Sequence, residues 1–154
     1  MRVLVLHGPN LNLLGEREPE IYGTQTLDEL DAAIATEAQP LGIEVTCEQY
    51  NAEGALIDAL HAARGKYAGV VVNPGAYAHY SYAIADAIAA IGIPVIEVHL
   101  SNITARESFR RTSVTAAACR AVFSGLGANG YVLALRALRD LPARSDGGGK
   151  RPGR

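Results

Sequence analysis

An α/β fold built on one five-stranded parallel sheet follows from two features of the sequence. Of five short apolar runs, those at 2–7 and 69–73 lack the polar alternation of a half-exposed sheet, as strands buried on both faces do, and helical patterns fall between the runs. At 154 residues and 49% hydrophobic content, the chain has material for one core rather than two.

The first run, residues 2–7 (Arg-Val-Leu-Val-Leu-His), stops at Gly8-Pro9. Thr26 and Glu29 have capping-box spacing, and Leu27, Leu30, Ile34 and Leu41 then share one helical face until Pro40-Leu41-Gly42 ends it. Residues 43–49 form the second strand, and Leu56, Ile57 and Leu60 mark the second helix. The third strand, 69–73, closes on Pro74-Gly75, and its helix carries Ile84, Ile88 and Ile91 before Gly92. Residues 93–98 make the fourth strand, and Ser101 to Arg111 reads as a turn leading into a short helix. A weaker fifth strand, 121–124, closes on Gly125-Leu126-Gly127, and Tyr131, Leu135 and Leu138 define a last helix that stops at Pro142. Five strands, each followed by a helix, imply right-handed crossovers and a sheet covered on both faces, which is a flavodoxin-like three-layer sandwich.

Residues 1–142 therefore form a single expected domain, and 143–154 form a glycine-rich basic tail without apolar periodicity, expected to be disordered. The formal net charge is -2, and the tail alone holds Arg144, Lys150, Arg151 and Arg154, so the body is more acidic than the total. An acidic body argues against nucleic acid as a partner. No apolar run approaches a bilayer span and no cleavable leader is visible, so no membrane association is expected and the location is read as cytoplasmic. Cys47 and Cys119 have neither disulfide nor metal-ligand spacing and read as reduced structural thiols. Phosphate-cradling glycine loops and His-x-x-x-His or Cys-x-x-Cys pairs are also missing, so neither a cofactor nor a metal is expected.

In such a sheet the ligand lies beyond the carboxyl ends of the strands. His7-Gly8-Pro9-Asn10-Leu11-Asn12 follows the first strand, Asn73-Pro74-Gly75-Ala76-Tyr77-Ala78-His79 the third, and Glu97-Val98-His99-Leu100-Ser101-Asn102 the fourth. Any one of these loops alone would pass as an ordinary turn. Together they bring neutral amides (Asn10, Asn73) and imidazoles (His79, His99) to one edge. Glu97 precedes His99 by two residues, on the same side of the strand, where a carboxylate fixes the imidazole tautomer and favours its charged form. That makes His99 the best acid candidate.

The polar loop Gly15-Glu-Arg-Glu-Pro-Glu-Ile-Tyr-Gly23 is long for a compact domain and reads as a lid. Its Tyr22 is a poor base unaided, because a phenol with a pKa near 10 leaves roughly one molecule in a thousand ionised at pH 7. Making it ionise there needs about 4 kcal/mol of preferential stabilisation, which two guanidiniums can supply. Arg17 lies on the same loop, and Arg106, Arg110 and Arg111 follow the fourth strand. Arg110 is also suited to a carboxylate or hydroxyl-rich ligand, and the Leu100 and Ser101 backbone to an anion.

Taken together, Gly8-Pro9-Asn10-Leu11-Asn12-Leu13-Leu14-Gly15-x-Arg17-Glu18-Pro19-x-x-Tyr22-Gly23, Asn73-Pro74-Gly75-Ala76-Tyr77-x-His79, Glu97-Val98-His99-x-Ser101-Asn102 and Gly125-Leu126-Gly127-x-x-Gly130-Tyr131 closely resemble type II 3-dehydroquinate dehydratases over about residues 2–141. The resemblance implies a cofactor-free anti elimination of water from 3-dehydroquinate through an enolate, as in chorismate and aromatic amino acid biosynthesis. It assigns proton abstraction to Tyr22, support of its ionised form to Arg17, an enolate-stabilising water to Asn10, and protonation of the leaving hydroxyl to His99 backed by Glu97. It also implies that Asn73, His79, Leu100, Ser101 and Arg110 hold the substrate, with Asp86 from a neighbouring subunit. A homododecamer, a tetramer of trimers, comes with the same family. The sequence departs from the family pattern at His7, where Asn or another small polar residue is common, at Tyr80 in place of Thr, and at Ala85 in place of Arg.

Two other readings share the architecture. A flavin-binding or phosphoacceptor module needs a Ser/Thr-rich phosphate loop or an acidic strand end, and the first strand ends instead in His7-Gly8-Pro9-Asn10. A noncatalytic assembly subunit has no use for Tyr22, Arg17 and His99 together.

Overall fold

The computed structural model describes residues 1–141. Its five strands, β1 (Arg2–His7), β2 (Glu44–Gln49), β3 (Gly69–Asn73), β4 (Val95–His99) and β5 (Ala121–Ser124), are all parallel, in the order β2-β1-β3-β4-β5. That order is the flavodoxin-like one, with its switch point between β1 and β3. The tail expected to be disordered lies outside the described residues.

Helices α2 (Leu27–Ala38) and α5 (Asn129–Asp140) cover one face, where Leu30, Ile34, Tyr131, Leu135 and Leu138 pack on Val3, Val5, Val71, Ile96 and Val98. Helices α3 (Glu53–Ala62) and α4 (Tyr82–Ala90) cover the other, packing Leu56, Leu60, Ile84 and Ile88 on Leu4, Leu6, Val70 and Val72. Successive residues of β1 and β3 thus go to opposite cores, which is why those strands are apolar without alternation.

The capping box forms as its spacing predicts. Thr26 Oγ1 accepts from the Glu29 N–H at 3.2 Å, and Glu29 Oε2 accepts from the Thr26 N–H at 2.9 Å. Such a cap contributes about 1 kcal/mol and fixes where the chain turns from the preceding loop into α2.

One expectation fails. No α-helix joins β4 to β5, which are linked by three short 3-10 turns, Ile103–Ala105, Ser108–Arg111 and Ala116–Ala118. The segment is rich in short polar side chains that satisfy the backbone locally, as Asn102 Oδ1 does for the Thr104 N–H and Ser113 Oγ for the Ala116 N–H. Such bonds compete with helix formation. The lid segment also acquires structure, since Tyr22 closes a single helical turn, α1 (Pro19–Tyr22).

Candidate active site

The loops after β1 and β3 are fastened to each other. Gly8 N–H donates to Asn73 O at 2.7 Å, and a Cβ at Gly8 would stand 2.7 Å from the Pro74 carbonyl carbon, so only glycine allows this approach. Asn10 follows with φ 67°, in the left-handed region that Asn tolerates better than most residues. Its N–H donates to Asn51 Oδ1 at 3.0 Å, and Gln49 Nε2 donates to the same oxygen at 3.0 Å. Beside this junction, at the switch point of the sheet, lies a cavity of about 130 Å³.

His99 and Glu97 arrive from the end of β4. His99 Nε2 is 2.7 Å from Glu97 Oε1, with His99 at 4% exposure and Glu97 at 0%. Ser113 Oγ donates to Oε1 at 2.7 Å, and Thr115 Oγ1 donates to Oε2 at 2.5 Å. Burial of Glu97 opposes its charged form, but the hydrogen bonds from His99, Thr115 and Ser113 outweigh it and hold the carboxyl below its usual range. A carboxylate accepts, so His99 Nε2 carries hydrogen and Nδ1 is the nitrogen left for the cavity that His99 lines.

Tyr22 and Arg17 line the same cavity from the loop after β1. Arg106 Nη1 donates to Tyr22 Oη at 2.7 Å and to Ser101 Oγ at 3.3 Å. The guanidinium carbons of Arg17 and Arg106 lie 4.9 and 5.3 Å from the centre of the Tyr22 ring. Negative charge on the phenol oxygen would therefore meet one direct cationic donor and a second cation over the ring. Sequence reasoning named Arg106 among several arginines without selecting it. The missing signal was the reach of the 3-10 segment, which has no helical period to tell which arginine turns inward.

Asn10, Asn73, His79, Leu100, Ser101 and Arg110 border the cavity as well. His79 Nδ1 donates to Thr112 O at 2.8 Å, and its ring stacks on that of His99 at 6.4 Å between centroids. Glu97 sits behind His99 rather than at the cavity wall. Asp86 is exposed on α4 and does not line the cavity of its own chain. Ser113 and Thr115, which hold Glu97, escaped the sequence reading because they lie 16 and 18 residues from it in the polar stretch between β4 and β5.

Among the described residues, His7, Asp31 and Cys47 bring one potential metal-ligand atom each within 4.8 Å of one another. They are already joined without an ion, because His7 Nε2 is 2.8 Å from Asp31 Oδ1 and the Cys47 thiol bonds to the same carboxylate. Cys47 and Cys119 are both free thiols. No helix of the described residues is long and apolar enough to cross a membrane.

The dehydroquinase class II family model matches residues 1–139. The chain is 56% identical over 141 residues to a 3-dehydroquinate dehydratase of Pelotomaculum thermopropionicum, covering 92% of this chain and 98% of that one. It is 58% identical over 137 residues to the 3-dehydroquinate dehydratase of Bacillus cytotoxicus, covering 89% and 94%. The crystal structure of a type II dehydroquinase from Butyrivibrio crossotus superposes with a TM-score of 0.89 at 46% identity, covering 91% of this chain and 98% of that one.

Proposed function

The chain belongs to the class II dehydroquinase family and is a hydro-lyase of the shikimate pathway that converts 3-dehydroquinate to 3-dehydroshikimate, and we propose that Tyr22 and His99 move its protons. Tyr22, as phenolate, takes the C2 proton and leaves an enolate. The enolate then collapses to the double bond as the C1–O bond breaks, and His99 Nδ1 supplies the proton with which that hydroxyl leaves as water. Asn10 positions a water on the enolate oxygen. Arg17 and Arg106 favour the phenolate, and Glu97 keeps the His99 ring oriented. Asn73, His79, Leu100, Ser101 and Arg110 hold the substrate hydroxyls and carboxylate.

The observation that carries this reading is the 2.7 Å contact from Arg106 to the Tyr22 oxygen on one wall of a cavity lined by the Glu97-backed His99. A base needing a cation and an acid needing a carboxylate each have one. The test follows the product's conjugated enone by ultraviolet absorbance, with Tyr22→Phe alongside wild type. Product from the wild type and almost none from the variant is the expected result. Equal rates from the two proteins would remove Tyr22 as the base.

Residues 1–142 act as one catalytic domain in a homododecamer, a tetramer of trimers, and Asp86 completes the pocket of a neighbouring subunit. Support comes from the exposure of Asp86 away from its own cavity and from the nearby Tyr80 and Tyr82, exposed by 60% and 71% on the α4 side of the molecule. The enzyme works in the cytoplasm on a free small molecule, with neither nucleic acid nor membrane as a partner.

A further inference from the structure

Behind the cavity, a chain of buried polar groups runs from Asn73 to the α2 helix. Asn73 Nδ2 donates to Tyr131 Oη at 3.2 Å, Tyr131 Oη is 3.2 Å from His7 Nδ1, and His7 Nε2 is 2.8 Å from Asp31 Oδ1. His7 and Tyr131 are both 0% exposed, and Asn73 is 4% exposed. None of the proton-transfer steps above uses His7, Asp31 or Tyr131. Three buried polar side chains on β1, β3 and α5 are nevertheless threaded through an apolar core and end on the part-exposed Asp31 of α2, and in that core each unmatched hydrogen would be costly.

Asp31 accepts, so His7 Nε2 carries a hydrogen, and a neutral ring then leaves Nδ1 with a lone pair. Tyr131 therefore donates its hydroxyl hydrogen to His7 Nδ1, and its oxygen is free to accept from Asn73. Burial pushes the Tyr131 phenol up, with the Asn73 bond opposing, so its hydrogen is retained. An imidazolium at His7, or the other tautomer, would place Nδ1–H against Tyr131 and force the hydroxyl hydrogen toward the Asn73 amino group. Turning the Asn73 amide over to accept it would set Nδ2 against the Gly75 N–H, which now donates to Asn73 Oδ1 at 3.2 Å.

We propose that His7, locked as the Nε2–H tautomer by Asp31, acts through Tyr131 as a positioning residue that fixes which face of the Asn73 amide meets the substrate. Asn73 then offers its second Nδ2 hydrogen to the cavity, so the site at this point selects an oxygen acceptor such as a substrate hydroxyl. This rests on the proposed substrate-holding role of Asn73, and deepens it by naming what sets its polarity.

The two amide replacements of histidine separate this role from simple space filling. In His7→Asn the amide oxygen falls where Nδ1 stood and still accepts from Tyr131. The larger His7→Gln has its amide near the Nε2 position, keeps the contact with Asp31 and loses the acceptor for Tyr131. With 3-dehydroquinate as substrate, His7→Asn should keep KM within about twofold of wild type, while His7→Gln and Tyr131→Phe each raise it roughly tenfold with a much smaller change in kcat, as loss of one oriented hydrogen bond implies. A His7→Gln enzyme as good as or better than His7→Asn would show that volume is what matters and would overturn the proposal. Nitrogen-15 correlation spectra of the imidazole in the wild-type protein test it independently of any variant's folding. A protonated Nε2 with a lone pair on Nδ1 supports the lock, whereas the opposite tautomer or an imidazolium refutes it. Inactivity of the wild type toward 3-dehydroquinate would instead strike at the proposed function, and the spectra would still decide the lock.

Discussion

Arg106 donates from Nη1 to the Tyr22 oxygen at 2.7 Å across 84 residues of sequence, joining the segment after β4 to the helical turn after β1. A fixed cationic donor on an oxygen that must carry negative charge is worth about 10²–10³ in turnover. Arg106→Ala should therefore lower kcat by roughly 10²-fold at saturating substrate, and Arg106→Lys should recover part of it. A loss confined to KM would move Arg106 from the base to the substrate's ground-state binding.

Removing the acid should be as damaging. His99→Ala is expected to lower kcat by about 10²–10⁴-fold, the usual range for a positioned general acid. Glu97→Gln should fall between this variant and the wild type, because the amide keeps a contact but is no longer the charged acceptor that orients the ring. Steady-state rates for the three proteins decide the order.

Glu97 also makes folding depend on pH. Its folded-state pKa lies below its ordinary value of 4.5, so the folded protein is favoured by the carboxylate form. This contribution is complete above the ordinary value and disappears as pH falls through the lower folded value. Urea midpoints of wild type should drop across that acid window, and those of Glu97→Gln should drop less.

Asp86 can be tested by subunit mixing. If each pocket combines its own Tyr22 with Asp86 of a neighbouring subunit, Asp86→Ala and Tyr22→Phe should each be nearly inactive alone. Trimers assembled at random from both would hold complete pockets at roughly a quarter of their sites, by the cyclic symmetry of a heterologous interface. Recovery of activity toward that level on co-refolding is the expected result, and none would place Asp86 outside the site.

Cys47 is a half-buried thiol pushed up to about 12, chiefly by its partial burial and further by the Asp31 carboxylate. Burial, with Glu97 beside it, pushes the Cys119 thiol up as well. Since the thiolate is the reactive form, iodoacetamide at pH 8 should label neither residue in the native protein and both after denaturation. Mass spectrometry of the two digests gives the answer.

Much of this was legible before any coordinates. The strand ends were marked by the change from branched apolar residues to Asn, Gly, Pro and His, and the Thr26–Glu29 box placed its helix start directly. Glu97 and His99 were readable as a pair because strand periodicity puts residues two apart on one side. Legibility ended where no period exists. Between β4 and β5 local side-chain bonds replaced a helix, so neither the inward turn of Arg106 nor the service of Ser113 and Thr115 to Glu97 could be deduced from spacing. The His7–Tyr131 contact, 124 residues apart, depends on α5 returning across β1 and β3, a fact of packing rather than pattern.

The bond from Gly8 to Asn73 has a reach beyond this one reaction. It welds the loops bearing Asn10 and Asn73 into one mount, so a change of length in either would displace both amides together. Residues 15–26 and 101–111, which carry Arg17, Arg106 and Arg110, meet instead through a side-chain bond, from Arg106 to Tyr22. Lineages that retune this architecture to other ligands should therefore vary those two segments and inherit the amide pair unchanged, as a fixed origin against which new contacts are measured.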